Sequence, residues 1–231
     1  ATLQATCRRA REQWGVDVGP WEPKKHRLKE PPAKETFLDY DQAKAILENL
    51  IPHARRIVRL ALYTGLRRDN LLSLRWEQAS LDLGRLVVRQ KGDRRLSVPL
   101  VPAAVDILRS LGPPPGDGGF IFRYAHPALS CGCAHCRSPA NRGKPIRDIR
   151  TALATAARKA GLAHLNLRFH DLRHTFASWM LAESGDLKMV QAALGHAEIK
   201  TTMRYAHLAP GAREGVTAAV ANRLDETPYQ R

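Results

Sequence analysis

Toward its C-terminal end the chain reads His170-Asp-Leu-Arg173, then Leu194-Gly-His196, then Arg204-Tyr205. Upstream, Arg67 closes the run Thr64-Gly-Leu-Arg67, and Lys91 sits in a turn before Val98-Pro-Leu100. Two guanidinium groups, two imidazoles, an ammonium and a phenol in this order suit attack by a tyrosine oxygen on a phosphodiester. Such an attack builds negative charge on both non-bridging oxygens as phosphorus becomes five-coordinate. A guanidinium stays charged and can donate two parallel hydrogen bonds to that load. A phenol has a solution pKa near ~10, so as a nucleophile it needs nearby positive charge and a proton acceptor. The departing sugar 5′-oxygen is a poor leaving group unless protonated, and a lysine in a mobile hairpin turn can reach into DNA. H-x-x-R alone occurs by chance in many helices; the ordered set is specific.

The elements that must position these groups are read from periodicity and punctuation. Residues 2 to 15 suggest a short helix ending at Gly15, followed by linker chemistry in Gly19-Pro-Trp-Glu-Pro and Glu30-Pro-Pro. Asp39-Tyr-Asp-Gln42 forms a capping-box signature before a helix carrying Ala43, Ile46, Leu47 and Leu50. Further helices are expected over 53–63, 68–75, from Pro102 onward, 147–160, 170–183, 187–194 and 198–208, with a candidate over 211–224. Residues 81–83, 85–89 and 95–98 read as short strands joined by Gly84 and the Lys91-Gly-Asp93 turn, and Phe120-Ile-Phe as another brief strand. The fold class is α+β, mainly α, with a small antiparallel β-sheet. Arg67, just past the helix break at Gly65, should be exposed at the start of the next helix. His170 and Arg173, three residues apart, share a helix face. Arg204 and His207 around Tyr205 argue for an exposed tyrosine, and His174 reads as a structural histidine.

The ordered set resembles the catalytic domain of the tyrosine recombinases, the phage-integrase family, over roughly residues 36 to 208. The resemblance implies that Arg67 and Arg173 clamp the scissile phosphate. It makes His170 a base or phosphate donor, His196 a second phosphate donor, Lys91 the general acid and Tyr205 the nucleophile. It implies a site-specific recombinase, an integrase that cleaves and rejoins double-stranded DNA through a 3′-phosphotyrosine, without metal or ATP, as a homotetramer on two duplexes. Residues 1–35 would be the end of a core-binding domain plus linker, 36–210 the catalytic domain, and 211–231 a tail able to dock on a neighbour. One position departs from the pattern: Asn70 stands where the family usually carries an acidic residue, and an amide fixes the Arg67 guanidinium less firmly than a carboxylate would.

Composition agrees with a polyanionic partner. Lys+Arg of 37 against Asp+Glu of 22 gives a formal charge of +15, and phosphate neutralisation would make binding steeply salt-dependent. No apolar run approaches the ~20 residues of a membrane span, and Cys7, Arg8, Arg9 and Arg11 interrupt any leader-like stretch. No carboxylate cluster suggests a two-metal nuclease, and no Gly-rich loop suggests nucleotide hydrolysis. Cys131, Cys133, His135 and Cys136 have zinc-ligand residue types, and a structural zinc is the lesser alternative, since the spacing is too tight for all four to surround one ion comfortably and no second C-x-x-C supplies partners. A packed or irregular thiol loop is expected there, with no cofactor. The thiols fit a reducing, cytoplasmic setting. Two alternatives remain. A type IB topoisomerase uses related groups, but the Lys91 hairpin and the step from His196 to Tyr205 favour a recombinase. A DNA-binding protein that no longer cleaves is opposed by the presence of every catalytic residue type.

Overall fold

The computed structural model describes residues 2–17, 36–90, 93–112, 119–124, 138–141 and 143–209. Lys91, the Cys131–Cys136 cluster and the 211–231 tail therefore lie outside the described residues. The chain divides into two units, Ala1–Lys34 and Glu35–Arg231. The first contributes helix α1 (Thr2–Trp14), with Gly15 following at positive φ.

The second unit opens with α2 (Tyr40–Asn49), where Asp39 and Gln42 close the expected capping box: Asp39 Oδ1 accepts from the Gln42 amide at 2.7 Å. Pro52 starts α3 (Pro52–Thr64), favoured at the first turn because its missing N–H would have had no partner there. The next helix is shorter than the leucine spacing suggests. It runs as α4 (Arg68–Leu72) and gives way to a 3₁₀ turn at Trp76–Gln78. The sheet follows as β1 (Ala79–Ser80), β2 (Arg85–Arg89) and β3 (Arg95–Pro99), antiparallel in that order. The first strand thus falls earlier than 81–83: residues 81–84 form the turn, so Ser80 pairs with Arg85. Phe120-Ile-Phe makes only a single bridge, Arg75 to Phe120, rather than a strand. In β2 and β3, Leu86, Val88 and Val98 face inward, whereas Arg85, Arg89 and Arg95 face out, so the sheet shows a basic outer surface.

Helices α5 (Pro102–Leu111) and α6 (Arg150–Lys159) precede the long α7 (Phe169–Ser184). Then come α8 (Leu187–Leu194) and α9 (Ile199–Thr202), which tightens into a 3₁₀ segment, Met203–Leu208. One large core joins Leu60, Leu66, Leu71, Leu86, Leu108, Phe122 and Leu172. A smaller one, made by Ala177, Leu181, Val190 and Leu194, encloses the Tyr205 ring. The segment leading into α2 is tied to α7 by Thr175, whose Oγ1 accepts from the Leu38 amide, and by Trp179, whose Nε1 donates to the Leu38 carbonyl. Among the described residues no helix is long and apolar enough to cross a membrane.

Candidate active site

Arg173 is the anchor. Only 3% exposed, it donates from Nη1 to the Gly65 carbonyl at 2.7 Å and from Nη2 to the Leu194 carbonyl at 2.9 Å. Both carbonyls lie at helix ends, where backbone acceptors lack intrahelical partners. One side chain on α7 thereby ties the ends of α3 and α8 together. Three of its five N–H donors remain for an anion. The two helix ends need glycine. Gly65 and Gly195 cap α3 and α8 at φ 60 and 65, a backbone conformation that strains other residues; a Cβ at Gly65 would strike the Phe176 ring, and one at Gly195 would have to displace the Gln90 side-chain amide.

Arg67, the N-cap of α4, is exposed as expected, and its side chain makes no ion pair or hydrogen bond among the described residues. Asp69 pairs instead with Arg68 at 3.0 Å, and Asn70 supplies no carboxylate, so Arg67 awaits a ligand to orient it. His196, 9% exposed, is held through Nδ1 by Thr202 Oγ1 at 2.9 Å. If the hydroxyl donates to Nδ1, the proton sits on Nε2, ready to donate outward. His170 is exposed, and its ring meets that of His174 edge-on at 4.7 Å. Lys91 is outside the described residues, but Gln90 just before it is tied to the site. Its Nε2 donates to the Leu194 carbonyl at 3.4 Å, the same oxygen that receives Arg173.

Tyr205 departs from expectation. It is buried, 3% exposed, because α7 and α8 close around its ring, and sequence neighbours such as Arg204 carry no information about that packing. Its hydroxyl lies 2.6 Å from Nδ1 of His174. The histidine read as merely structural therefore touches the candidate nucleophilic oxygen. Three residues were not picked out from sequence: His174, Gln90 and Thr202. The available signal for His174 was its place one helical turn beyond His170, on the same face.

Burial and converging cations depress the imidazoles of His170, His174 and His196. Burial first, then the charges of Arg173, Arg67 and Arg204, push His196 down to about 4. Burial, then His170, Arg204, Arg173 and Arg168, push His174 down to about 4. Burial, followed by the Arg173 charge, also lowers His170. Arg173 itself is pushed down to about 10, by burial and then by Arg67, and so stays cationic at neutral pH. The pattern is that of a site built for an anion. It has a stability consequence. Between about pH 6.5 and 4 the unfolded chain binds protons at His174 and His196 that the folded chain refuses, so acid favours unfolding. The melting temperature should therefore fall as pH drops through that window, with a shallower slope in His196→Gln; a flat profile from pH 6.5 to 4 would contradict the assignment. Among the described residues, no three His, Cys, Asp or Glu side chains are grouped as a metal site.

Comparison with known proteins supplies the family. The phage integrase family matches residues 36–211. The integrase of Salmonella phage P22 is 30% identical over 219 residues, covering 90% of this chain and 52% of that protein. The tyrosine recombinase XerC of Xylella fastidiosa strain M23 is 36% identical over 156 residues, 67% of this chain and 48% of that one. The chain thus spans about half the length of these relatives. Among solved structures, the catalytic domain of bacteriophage HP1 integrase aligns with a TM-score of 0.57 and 25% identity, covering 85% of this chain and all of that domain. With the match running from the start of α2 through Tyr205, the chain belongs to the phage integrase family of tyrosine recombinases.

Proposed function

We propose that the chain carries the strand-transfer chemistry of a site-specific DNA recombinase, an integrase, breaking and rejoining double-stranded DNA through a 3′-phosphotyrosine at Tyr205. The observation that carries this reading is the convergence of Arg67, Arg173, His170 and His196, each with N–H donors to spare, around a tyrosine. In the proposed reaction Arg67 and Arg173 take the two non-bridging oxygens, with His170 and His196 donating to the same oxygens. The Tyr205 oxygen attacks phosphorus, and the 5′-oxygen departs with a proton from Lys91. The 5′-hydroxyl later reverses the sequence, so bond energy is kept in the phosphotyrosine and no ATP is required. DNA would lie across the basic face of the sheet, where Arg85, Arg89 and Arg95 point outward, and affinity drawn from phosphate contacts falls steeply with salt. We place the protein in the bacterial cytoplasm on DNA, acting as a homotetramer. Residues 1–35 are read as the end of a core-binding domain with its linker, and 211–231 as an inter-protomer docking tail. The reading is tested by incubating the protein with a nicked duplex and looking for covalent protein–DNA adduct on a denaturing gel.

Lys91 gives this mechanism a separable check. Protonating the departing oxygen matters only while that oxygen leaves poorly. With sulfur in its place the leaving group is a thiolate, whose conjugate acid has a pKa near ~8.5 as in cysteine, and it departs without a proton. Lys91→Ala should then cleave normal DNA very slowly and the sulfur-substituted strand almost as fast as the unmutated protein. Arg67→Ala should stay slow on both, because charge on the non-bridging oxygens still has to be met. If sulfur does not restore Lys91→Ala, the proton comes from elsewhere.

A further inference from the structure

We propose that His174 is a catalytic residue: its Nδ1 orients the Tyr205 hydroxyl and takes the proton from it as the oxygen attacks phosphorus. This rests on Tyr205 being the nucleophile. The geometry is direct. The Nδ1 to Oη distance is 2.6 Å, the rings are 5.6 Å apart at their centroids, and they tilt by 53°. His174 is 5% exposed and Tyr205 3%, so bulk water is largely kept from the bond. The His174 ring also packs edge-on against that of His170, with centroids 4.7 Å apart and planes at 88°.

Held at about 4, His174 is neutral at physiological pH, so one ring nitrogen accepts and the other donates. The proposed step requires the tautomer with its proton on Nε2, in which Nδ1 accepts from the Tyr205 hydroxyl. In the free protein a ring held at about 4 is a weak base and serves to orient the hydroxyl. A bound phosphodiester changes the balance. The groups facing His174 are His170, Arg173 and Arg168 from α7 and its N-cap, and Arg204 from the segment carrying Tyr205. A phosphate anion among them offsets their positive field, and the pKa of His174 rises as negative charge develops on phosphorus.

The step balances. The Tyr205 oxygen forms its bond to phosphorus as its proton moves to Nδ1, leaving His174 an imidazolium. The bond from phosphorus to the 5′-oxygen breaks, and that oxygen takes a proton from the general acid. On rejoining, the 5′-hydroxyl attacks, and His174 returns its proton to the departing Tyr205 oxygen. His170, whose ring nitrogens make no hydrogen bond among the described residues, is left to serve the phosphate.

The test is single-turnover adduct formation on a nicked duplex from pH 6 to 9, using the full chain and His174→Gln and His174→Phe. Glutamine keeps a hydrogen-bond acceptor but cannot take a proton; phenylalanine keeps the volume. Both should lose about 100- to 10,000-fold at pH 7, the range for a general base. Their rates should climb about tenfold per pH unit as solvent ionises the phenol, and sulfur at the leaving position should not restore them. Fluorinated tyrosine at position 205, a more acidic phenol, should restore His174→Gln, which a merely structural role would not allow. Rates and pH profiles like those of the unmutated chain would overturn the proposal. If the variants fail to fold, the unmutated chain decides: a rate that tracks phenol ionisation tenfold per pH unit overturns it, and a shallow profile upholds it. Absence of any Tyr205 adduct from the unmutated chain would instead remove the functional reading beneath it.

Discussion

Replacing Tyr205 with phenylalanine is expected to remove all covalent protein–DNA adduct and to leave DNA affinity essentially unchanged. Only one oxygen is lost. The ring stays packed among Ala177, Leu181, Val190 and Leu194, so the fold around it persists. The hydroxyl's contact with His174 goes with it, and a net hydrogen bond is worth about 1 kcal/mol, a small change in stability beside complete loss of chemistry. Gel-shift titration and denaturing gels on the same samples separate the two quantities. Adduct persisting in the phenylalanine variant would transfer the role of nucleophile to another residue, with Tyr229 the first to examine.

The second large effect separates the two arginines. Arg67→Ala and Arg173→Ala should each slow cleavage by about 100- to 1,000-fold, the usual loss on removing one preorganised donor to an oxyanion. Their effects on folding should differ. The Arg67 side chain is exposed and makes no ion pair or hydrogen bond among the described residues, so its loss should leave the melting temperature unchanged. Arg173 is buried and satisfies the Gly65 and Leu194 carbonyls. Its removal leaves two buried acceptors without that partner, at about 1–3 kcal/mol each. Arg173→Lys should keep a charge but fail at both tasks, since an ammonium cannot span two carbonyls and a phosphate as a planar fork does. Equal melting temperatures for the two alanine variants would contradict the structural role given to Arg173.

Much of this architecture is legible in the chain, for local reasons. The Asp39 capping box, Pro52 and Pro102 at helix starts, and Gly65, Gly185 and Gly195 at helix ends are signals that depend on a few adjacent residues. Arg67 is exposed because the break at Gly65 is itself local. The misreadings arise where distant segments decide. Tyr205 looks exposed beside Arg204 and His207, yet residues from α7 and α8 cover it. His174 reaches Tyr205 across 31 positions, and Gln90 reaches Leu194 across 104, separations that no periodicity reports. The first strand is misplaced by the same logic, since a two-residue pairing is fixed by the turn it shares with β2 rather than by its own leucines. The catalytic residue types could be read from order and spacing; the hydrogen bonds that aim them could not.

In the proposed reaction the Tyr205 oxygen bonds covalently to the 3′-phosphate of cleaved DNA. Trapping the adduct on a nicked duplex, digesting protein and DNA, and locating the nucleotide by tandem mass spectrometry tests this bond itself. A nucleotide should be attached through its 3′-phosphate to the peptide containing Tyr205, with a 5′-hydroxyl on the released strand. A nucleotide on any other residue, a 5′-phosphate linkage, or cleavage without any protein-bound nucleotide would contradict it.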